Sequence, residues 1–233
     1  MISVCIATYN GERFVRQQIE SILPQLSPGD EVVVSDDGST DGTVKAIEAI
    51  GSHMVRVVEN KGEHGYTANF EHALRQAKGD LIFLADQDDV WQPDKVETMG
   101  RALQEATLAV SDAEIVDEQL RPLHGSYYAQ RGVYRSLAGN LLKFGYLGCC
   151  MAFRRELLQK ALPFPADRRL CTHDNWLFLV AKAFFSAKVL DERLVLYRRH
   201  RDTASTGAVN KGAPACFRAK YRLYLIGHLL KRI

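Results

Sequence analysis

Four times in its first 105 residues the chain passes from a short apolar run, through a polar loop, into a longer amphipathic stretch; no other sequence feature constrains the fold as much. The pairs are 2–8 with 14–26, 31–35 with 43–50, 55–59 with 67–77, and 81–84 with 95–105. Period-two or continuous apolar runs of this length read as strands, and the 3.6-period stretches as helices. Repeated βα units imply an α/β fold: a mainly parallel sheet flanked by helices. Ligands of such sheets bind beyond the carboxyl ends of the strands, so the loops there are the place to look for chemistry.

All four loops carry carboxylates, three of them within Tyr9-Asn10-Gly11-Glu12, the run from Asp36 to Gly42, and Asp86-Gln87-Asp88-Asp89. The last follows the apolar Leu81-Ile82-Phe83-Leu84-Ala85, and carboxylates at the end of a buried strand are costly unless something compensates them. Hard oxygen ligands of this kind suit Mg²⁺ or Mn²⁺, which leave coordination positions for diphosphate oxygens. The remaining loop, 60–66, contains Gly62 and Gly65 but neither a Walker A nor a GxGxxG pattern, which argues against a P-loop or dinucleotide site.

Beyond residue 106 the rhythm weakens. Short strands are expected at 108–112, 114–117, 149–153, 187–190 and 194–199, with a helix at 175–185 and an aromatic, basic stretch at 127–146. The formal charge of +2 hides a drift, because almost no acids follow Arg193. Residues 217–233 read as a basic helix that either packs on the domain or lies on lipid. No apolar run approaches the roughly 20 residues of a spanning helix, and no secretory leader pattern opens the chain, so a cytoplasmic protein is expected, with peripheral contact at the inner face of the plasma membrane through the tail. Five cysteines without CxxC spacing read as reduced thiols rather than a zinc site.

The segments Ile2-Ser3-Val4-Cys5-Ile6-Ala7-Thr8-Tyr9-Asn10-Gly11-Glu12, Val34-Ser35-Asp36-Asp37-Gly38-Ser39-Thr40-Asp41-Gly42-Thr43 and Asp86-Gln87-Asp88-Asp89 occur in the order and spacing that resemble the family 2 glycosyltransferases. That resemblance implies a GT-A (Rossmann-like) fold over residues 1–205, with a nucleotide-sugar half at 1–106, an acceptor-side half at 107–205 and the basic tail at 206–233. It implies a nucleotide pocket lined by Thr8, Tyr9, Asn10 and Glu12, with Asp37 accepting the imide N–H of a pyrimidine; a carboxylate is a suitable reader of that donor. Lys61 and Asn69 fall in the matching third loop, where contact with the nucleotide and plain structural duty fit equally. Asp36 and Asp41 also suit turns and caps.

By the same resemblance Asp86 and Asp88 form the DxD pair, Asp88 as direct metal ligand and Asp86 nearer the ribose or metal-bound water, with Asp89 in support. Asp174, in Thr172-His173-Asp174-Asn175-Trp176, matches the catalytic base, although the family more often has Glu where this chain has His173. His200 is placed to complete the metal shell and Arg199 to meet the diphosphate. Gly148, Cys149, His173 and Trp176 are expected on the acceptor side, Trp176 fitting core packing equally well. A single base without a second nucleophile implies inversion.

The activity expected is thus inverting transfer of a sugar from a UDP-sugar or dTDP-rhamnose, assisted by Mg²⁺ or Mn²⁺. The acceptor is a saccharide or lipid-linked saccharide of surface-polysaccharide biosynthesis, and no nucleic acid is involved. The wording Asp86-Gln87-Asp88-Asp89-Val90-Trp91 is similar to bacterial rhamnosyltransferases. A nucleotidyltransferase would need a basic glycine-rich first loop, which Thr8-Tyr9-Asn10-Gly11 is not, and a non-catalytic carbohydrate-binding module would not need the carboxylates that this chain retains.

Overall fold

A computed structural model describes residues 1–200 and 214–233. The strands are β1 (Ile2–Thr8), β2 (Glu31–Asp36), β3 (Val55–Glu59), β4 (Leu81–Asp86), β5 (Val90–Trp91), β6 (Leu108–Val116), β7 (Pro122–His124), β8 (Met151–Arg154) and β9 (Ala187–Arg198). They form one sheet ordered β3-β2-β1-β4-β8-β6-β9-β5, with β7 paired to β6. The first four neighbours are parallel, as the βα rhythm requires, and their register sets Thr8 opposite Asp36 and Ala7 opposite Asp86. Three carboxylate-bearing loops therefore leave the same edge of the sheet.

The helices are α1 (Val15–Ile22), α2 (Thr43–Glu48), α3 (Tyr66–Gln76), α4 (Lys95–Glu105), α5 (Tyr127–Arg131), α6 (Leu137–Leu142), α7 (Leu157–Ala161), α8 (His173–Phe184) and α9 (Ala215–Leu230). Val15, Ile19 and Ile22 lie on one face of α1 and are fully buried, the spacing of a helix that covers a sheet. All six residues of β2 are buried, as in a parallel strand covered on both faces.

The second half is more continuous than the sequence suggests. The stretches 108–112 and 114–117 belong to the single strand β6, whose register shifts on both sides of Asp112. That carboxylate is buried and accepts from Ser126 Oγ at 2.5 Å and the Tyr128 N–H at 2.9 Å, so the irregularity lets a polar residue cross the core satisfied. Likewise 187–190 and 194–199 merge into β9, in which Asp191, Glu192 and Arg193 are exposed while the strand runs on. Ser126 and Ser136 cap α5 and α6 through their hydroxyls, signals that the aromatic stretch concealed.

Helix α9 packs on the domain through Tyr221, Leu225 and Leu229, and the Tyr221 hydroxyl accepts from Asn175 Nδ2 at 3.1 Å. Its other side exposes Leu223 and Leu230, followed by Ile233. No described helix is long and apolar enough to cross a membrane. The expected boundary after residue 205 falls outside the described residues.

Candidate active site

A cavity of about 450 Å³ opens beyond the carboxyl ends of β1, β2 and β4. Thr8, Tyr9, Asp37, Asn69, Asp86 and Asp88 line one side; Tyr127, Arg131, Phe144 and Tyr146 line another, and His173 and Asp174 at the start of α8 face it together with Gly148. Residues from both halves of the chain thus converge on one space.

On the β1–β2 side most polar groups are already committed to shaping the loops. Thr8 Oγ1 donates to Asp36 Oδ1 at 3.1 Å, and Asp36 Oδ2 accepts the N–H groups of Gly38 and Ser39, so Asp36 fastens a turn. Asn10, with φ of 48°, accepts the Thr40 N–H at 2.9 Å, and Glu12 accepts the Gly42 N–H at 2.9 Å. Both stitch the first loop to the second instead of facing the cavity. Asp41 accepts from Glu12 N–H, Thr43 N–H and the Thr43 hydroxyl; burial pushes its pKa up, but these bonds outweigh it and hold the carboxyl below its ordinary value.

Asp37 lies on the cavity with Oδ2 accepting the Gly65 N–H at 2.7 Å and Oδ1 accepting from Asn60 Nδ2 at 2.8 Å. Gly65 caps α3 with φ of 103°, a backbone conformation that favours glycine. Asn69 bonds the carbonyls of Thr8 and Ser35, bracing β1 and β2 beneath the cavity wall. Lys61 does not reach the cavity: it is exposed and pairs with Glu59 at 3.3 Å.

The aspartate cluster lies deeper. Asp88 Oδ2 is 2.7 Å from His200 Nε2, and both side chains are largely buried. Burial and the Asp88 charge raise the Asp86 pKa to about 7. Asp89 is wholly buried; burial, then Asp88 and Asp86, push its pKa well up, against the Arg198 N–H donated to Oδ1 at 3.0 Å. Its Oδ2 has no hydrogen-bond partner among the described residues. Donor atoms of Asp86, Asp89 and Cys149 lie within 4.8 Å of one another, and Cys149 is not on the cavity wall. Carboxylate oxygens with one imidazole, concentrated where one buried oxygen is unpaired, fit a hard divalent cation.

Two cations support this cluster from within the protein. Lys95 is fully buried, donates to the Cys149 carbonyl at 2.7 Å and lies 4.6 Å from the Trp91 ring centre. Burial lowers its pKa, while Cys150, Cys149, Asp89 and Asp86 pull it back up. Arg198 donates to the carbonyl of Asp88 at 2.6 Å, tying the loop after β4 to the end of β9. Arg199 stacks near Tyr197, a cavity residue, and donates to its hydroxyl at 3.2 Å.

Asp174 is half-buried at the first turn of α8, with Oδ1 held by the Thr172 hydroxyl and by the Asn175 N–H at 2.8 Å. Its charge is felt at Asp86 across the cavity. Trp176, two residues on, is fully buried and donates to the Ala161 carbonyl at 2.8 Å; the turn of the helix carries it into the core and away from the cavity.

A family model described as glycosyl transferase family 2 matches residues 3–162. The chain belongs to that family. It is 26% identical over 211 residues to an uncharacterized glycosyltransferase of Nostoc sp., covering 85% of this chain and 65% of that protein. It is 24% identical over 237 residues to the dTDP-rhamnosyl transferase RfbG of Shigella flexneri, covering 93% of this chain and 77% of RfbG. Among solved structures, S. aureus TarS 1-349 in complex with UDP-GlcNAc matches with a TM-score of 0.70 at 18% identity, over 99% of this chain and 72% of that chain. Mannosyltransferase PcManGT from Pyrobaculum calidifontis, in complex with GDP-Man and Mn²⁺, matches with a TM-score of 0.62 at 24% identity, over 99% and 63%. The architecture is the GT-A fold of these transferases.

Several residues of this family 2 site escape sequence reasoning. Gln87 brackets Tyr9, accepting its N–H at 2.9 Å and donating to its carbonyl at 3.1 Å, a pairing of loops 78 residues apart. Lys95 and Arg198 look like ordinary surface cations until the fold buries them. Tyr66 and Phe70 of α3 face the cavity together with Phe144 and Tyr146 of the loop after α6.

Proposed function

We propose that this family 2 glycosyltransferase moves a sugar, with inversion, from a pyrimidine nucleotide diphosphate, a UDP-sugar or dTDP-rhamnose, to a hydroxyl of a saccharide or lipid-linked saccharide in surface-polysaccharide assembly. The observation that carries the reading is that Asp174 faces the same cavity as Asp86 and Asp88, near enough for its charge to act on Asp86. A carboxylate whose Oδ1 is fixed by two donors keeps Oδ2 to take a proton, which is what a base acting on an acceptor hydroxyl must do. One base, with no second carboxylate set as a nucleophile against it among the described residues, favours a single displacement.

Asp88 and His200 would hold Mg²⁺ or Mn²⁺, with Asp86 beside them and Asp89 behind. When bound, the ion supplies charge neutralisation for the diphosphate leaving group. Thr8, Tyr9 and Asp37 supply the nucleotide wall, with Arg199 near the diphosphate. With Asn60 and His64 on Oδ1 and the Gly65 N–H on Oδ2, Asp37 keeps acceptor capacity on Oδ2, and a pyrimidine imide suits it. The rhamnosyl specificity of RfbG is one support for dTDP-rhamnose as the donor.

Under this reading α9 lies against an anionic membrane surface: Leu223, Leu230 and Ile233 are exposed among Arg218, Lys220, Lys231 and Arg232, and residues 214–233 contain no acid.

The direct test is Asp174→Asn. It should bind nucleotide sugar as the wild type does while sugar transfer, followed as nucleotide release with a membrane lipid extract as acceptor, falls at least about 100-fold. Retained turnover would remove Asp174 from the role of base.

A further inference from the structure

His173 opens α8 immediately before Asp174, is only 6% exposed, and has neither ring nitrogen hydrogen-bonded among the described residues. An unpaired buried polar atom is destabilising, so two on one ring require a reason. Loose placement is not that reason. The imidazole stacks on Phe70 at 4.1 Å between ring centres and 29° between planes, with Tyr66 set edge-on at 6.0 Å. At its Nε2 end stands Gly148, where an added Cβ would lie 2.3 Å from His173 Nε2. The ring is held by Phe70 on one face, a side chain at position 148 would collide with its Nε2 end, and the ring lines the cavity alongside Asp174.

Burial lowers the His173 pKa, against the pull of the Asp174 charge, so the ring is neutral near pH 7 and offers one N–H donor and one bare acceptor nitrogen. A diphosphate, which has only acceptors, is poorly matched to such a ring. A hydroxyl, which both donates and accepts, is well matched to either nitrogen.

We infer that His173 is a specificity-determining residue that hydrogen-bonds a hydroxyl of the sugar ring held beside Asp174, and that Gly148 makes room for its imidazole. The inference rests on the transferase reading above. A site with a buried hydrogen-bonding group discriminates against sugars that lack its partner, because binding them leaves the group unpaired. The hydroxyl belongs either to the transferred sugar or to the acceptor, and the experiment separates the two.

The full chain, labelled with ¹⁵N-histidine and kept with Mg²⁺, is titrated with UDP, then with UDP-GlcNAc, UDP-glucose and dTDP-rhamnose, and finally with octyl β-glucoside over the UDP complex. His173→Gln identifies the resonances. The His173 ring nitrogens should stay in place with UDP and shift when a sugar-bearing ligand enters. A shift with a nucleotide sugar assigns the hydroxyl to the donor; a shift with the glucoside assigns it to the acceptor. His173→Phe should weaken that ligand about tenfold relative to bare nucleotide, and His173→Gln should recover part of the loss. Calorimetrically bound nucleotide sugar with unmoved His173 resonances throughout, or an unchanged affinity ratio in His173→Phe, overturns the inference. Failure of every nucleotide to bind is a different result and overturns the transferase reading beneath it.

Discussion

Arg198→Met should be among the most damaging single changes outside the apolar core. Arg198 is 2% exposed, and its guanidinium makes three bonds of 2.6 Å, to the carbonyls of Asp88 and Glu118 and to Gln17 Oε1, while lying 4.6 Å from the centre of the Phe14 ring. Methionine keeps an apolar stem but removes all three donors and the positive charge beside Asp89 and Asp88. Each bond from a charged donor stabilises by about 1.5–3 kcal/mol, though not additively. Burial of the guanidinium opposes this, as its lowered pKa shows, and methionine recovers that penalty. The balance resembles the loss of one partner from a buried ionic cluster, about 3–5 kcal/mol. Urea unfolding followed by circular dichroism, with the slope checked against wild type, measures it. Because the Asp88 carbonyl loses its tether, nucleotide affinity in Mg²⁺ should also fall about tenfold in the folded fraction. A stability loss below about 1 kcal/mol with unaltered nucleotide binding would refute the reasoning that Arg198 holds the loop after β4.

Two further outcomes follow from the geometry. Asp86, raised from 3.8 to about 7 mainly by burial, keeps a proton in the folded state that the unfolded chain has released, so metal-free stability should decline as pH rises through that window. Thermal melts in EDTA should show wild type losing more over that range than Asp86→Asn, and equal slopes would contradict the assignment. For the membrane contact, flotation with vesicles of phosphatidylglycerol and phosphatidylcholine should carry wild type upward, and Leu223→Ser with Leu230→Ser should abolish this without unfolding α9, whose packing uses Tyr221, Leu225 and Leu229; unchanged flotation would dismiss α9 as the contact.

The parallel half of the fold is legible in the sequence because its strands are continuous apolar runs and its helices carry one buried face, as β2 and α1 show. The second half is harder. Asp112 and the Asp191-Glu192-Arg193 run interrupt the apolar pattern, and the β6–β9 pairing absorbs them by shifting register around Asp112 while both strands run on. In the site, the carboxylates stand out because so many acids rarely end an apolar strand, and the structure brings Asp86, Asp88, Asp174 and His173 to one cavity. Direction is what the local sequence lacks. It does not tell that Trp176 turns into the core, that Lys61 stays with Glu59 in solvent, that Cys149 adjoins the aspartates, or that Asn10 and Glu12 bind loops together. Lys95 and Arg198 are equally silent, because a cation's burial depends on partners far away in the chain.

The central claim, that this cavity takes a nucleotide sugar with a divalent cation, is tested most directly by calorimetric titration of UDP-GlcNAc, UDP-glucose, UDP-galactose and dTDP-rhamnose into the protein, each with and without Mn²⁺. The account predicts that at least one binds with the ion and loses most of its affinity without it or in Asp88→Ala. Binding of none, or binding indifferent to both Mn²⁺ and Asp88, would contradict it.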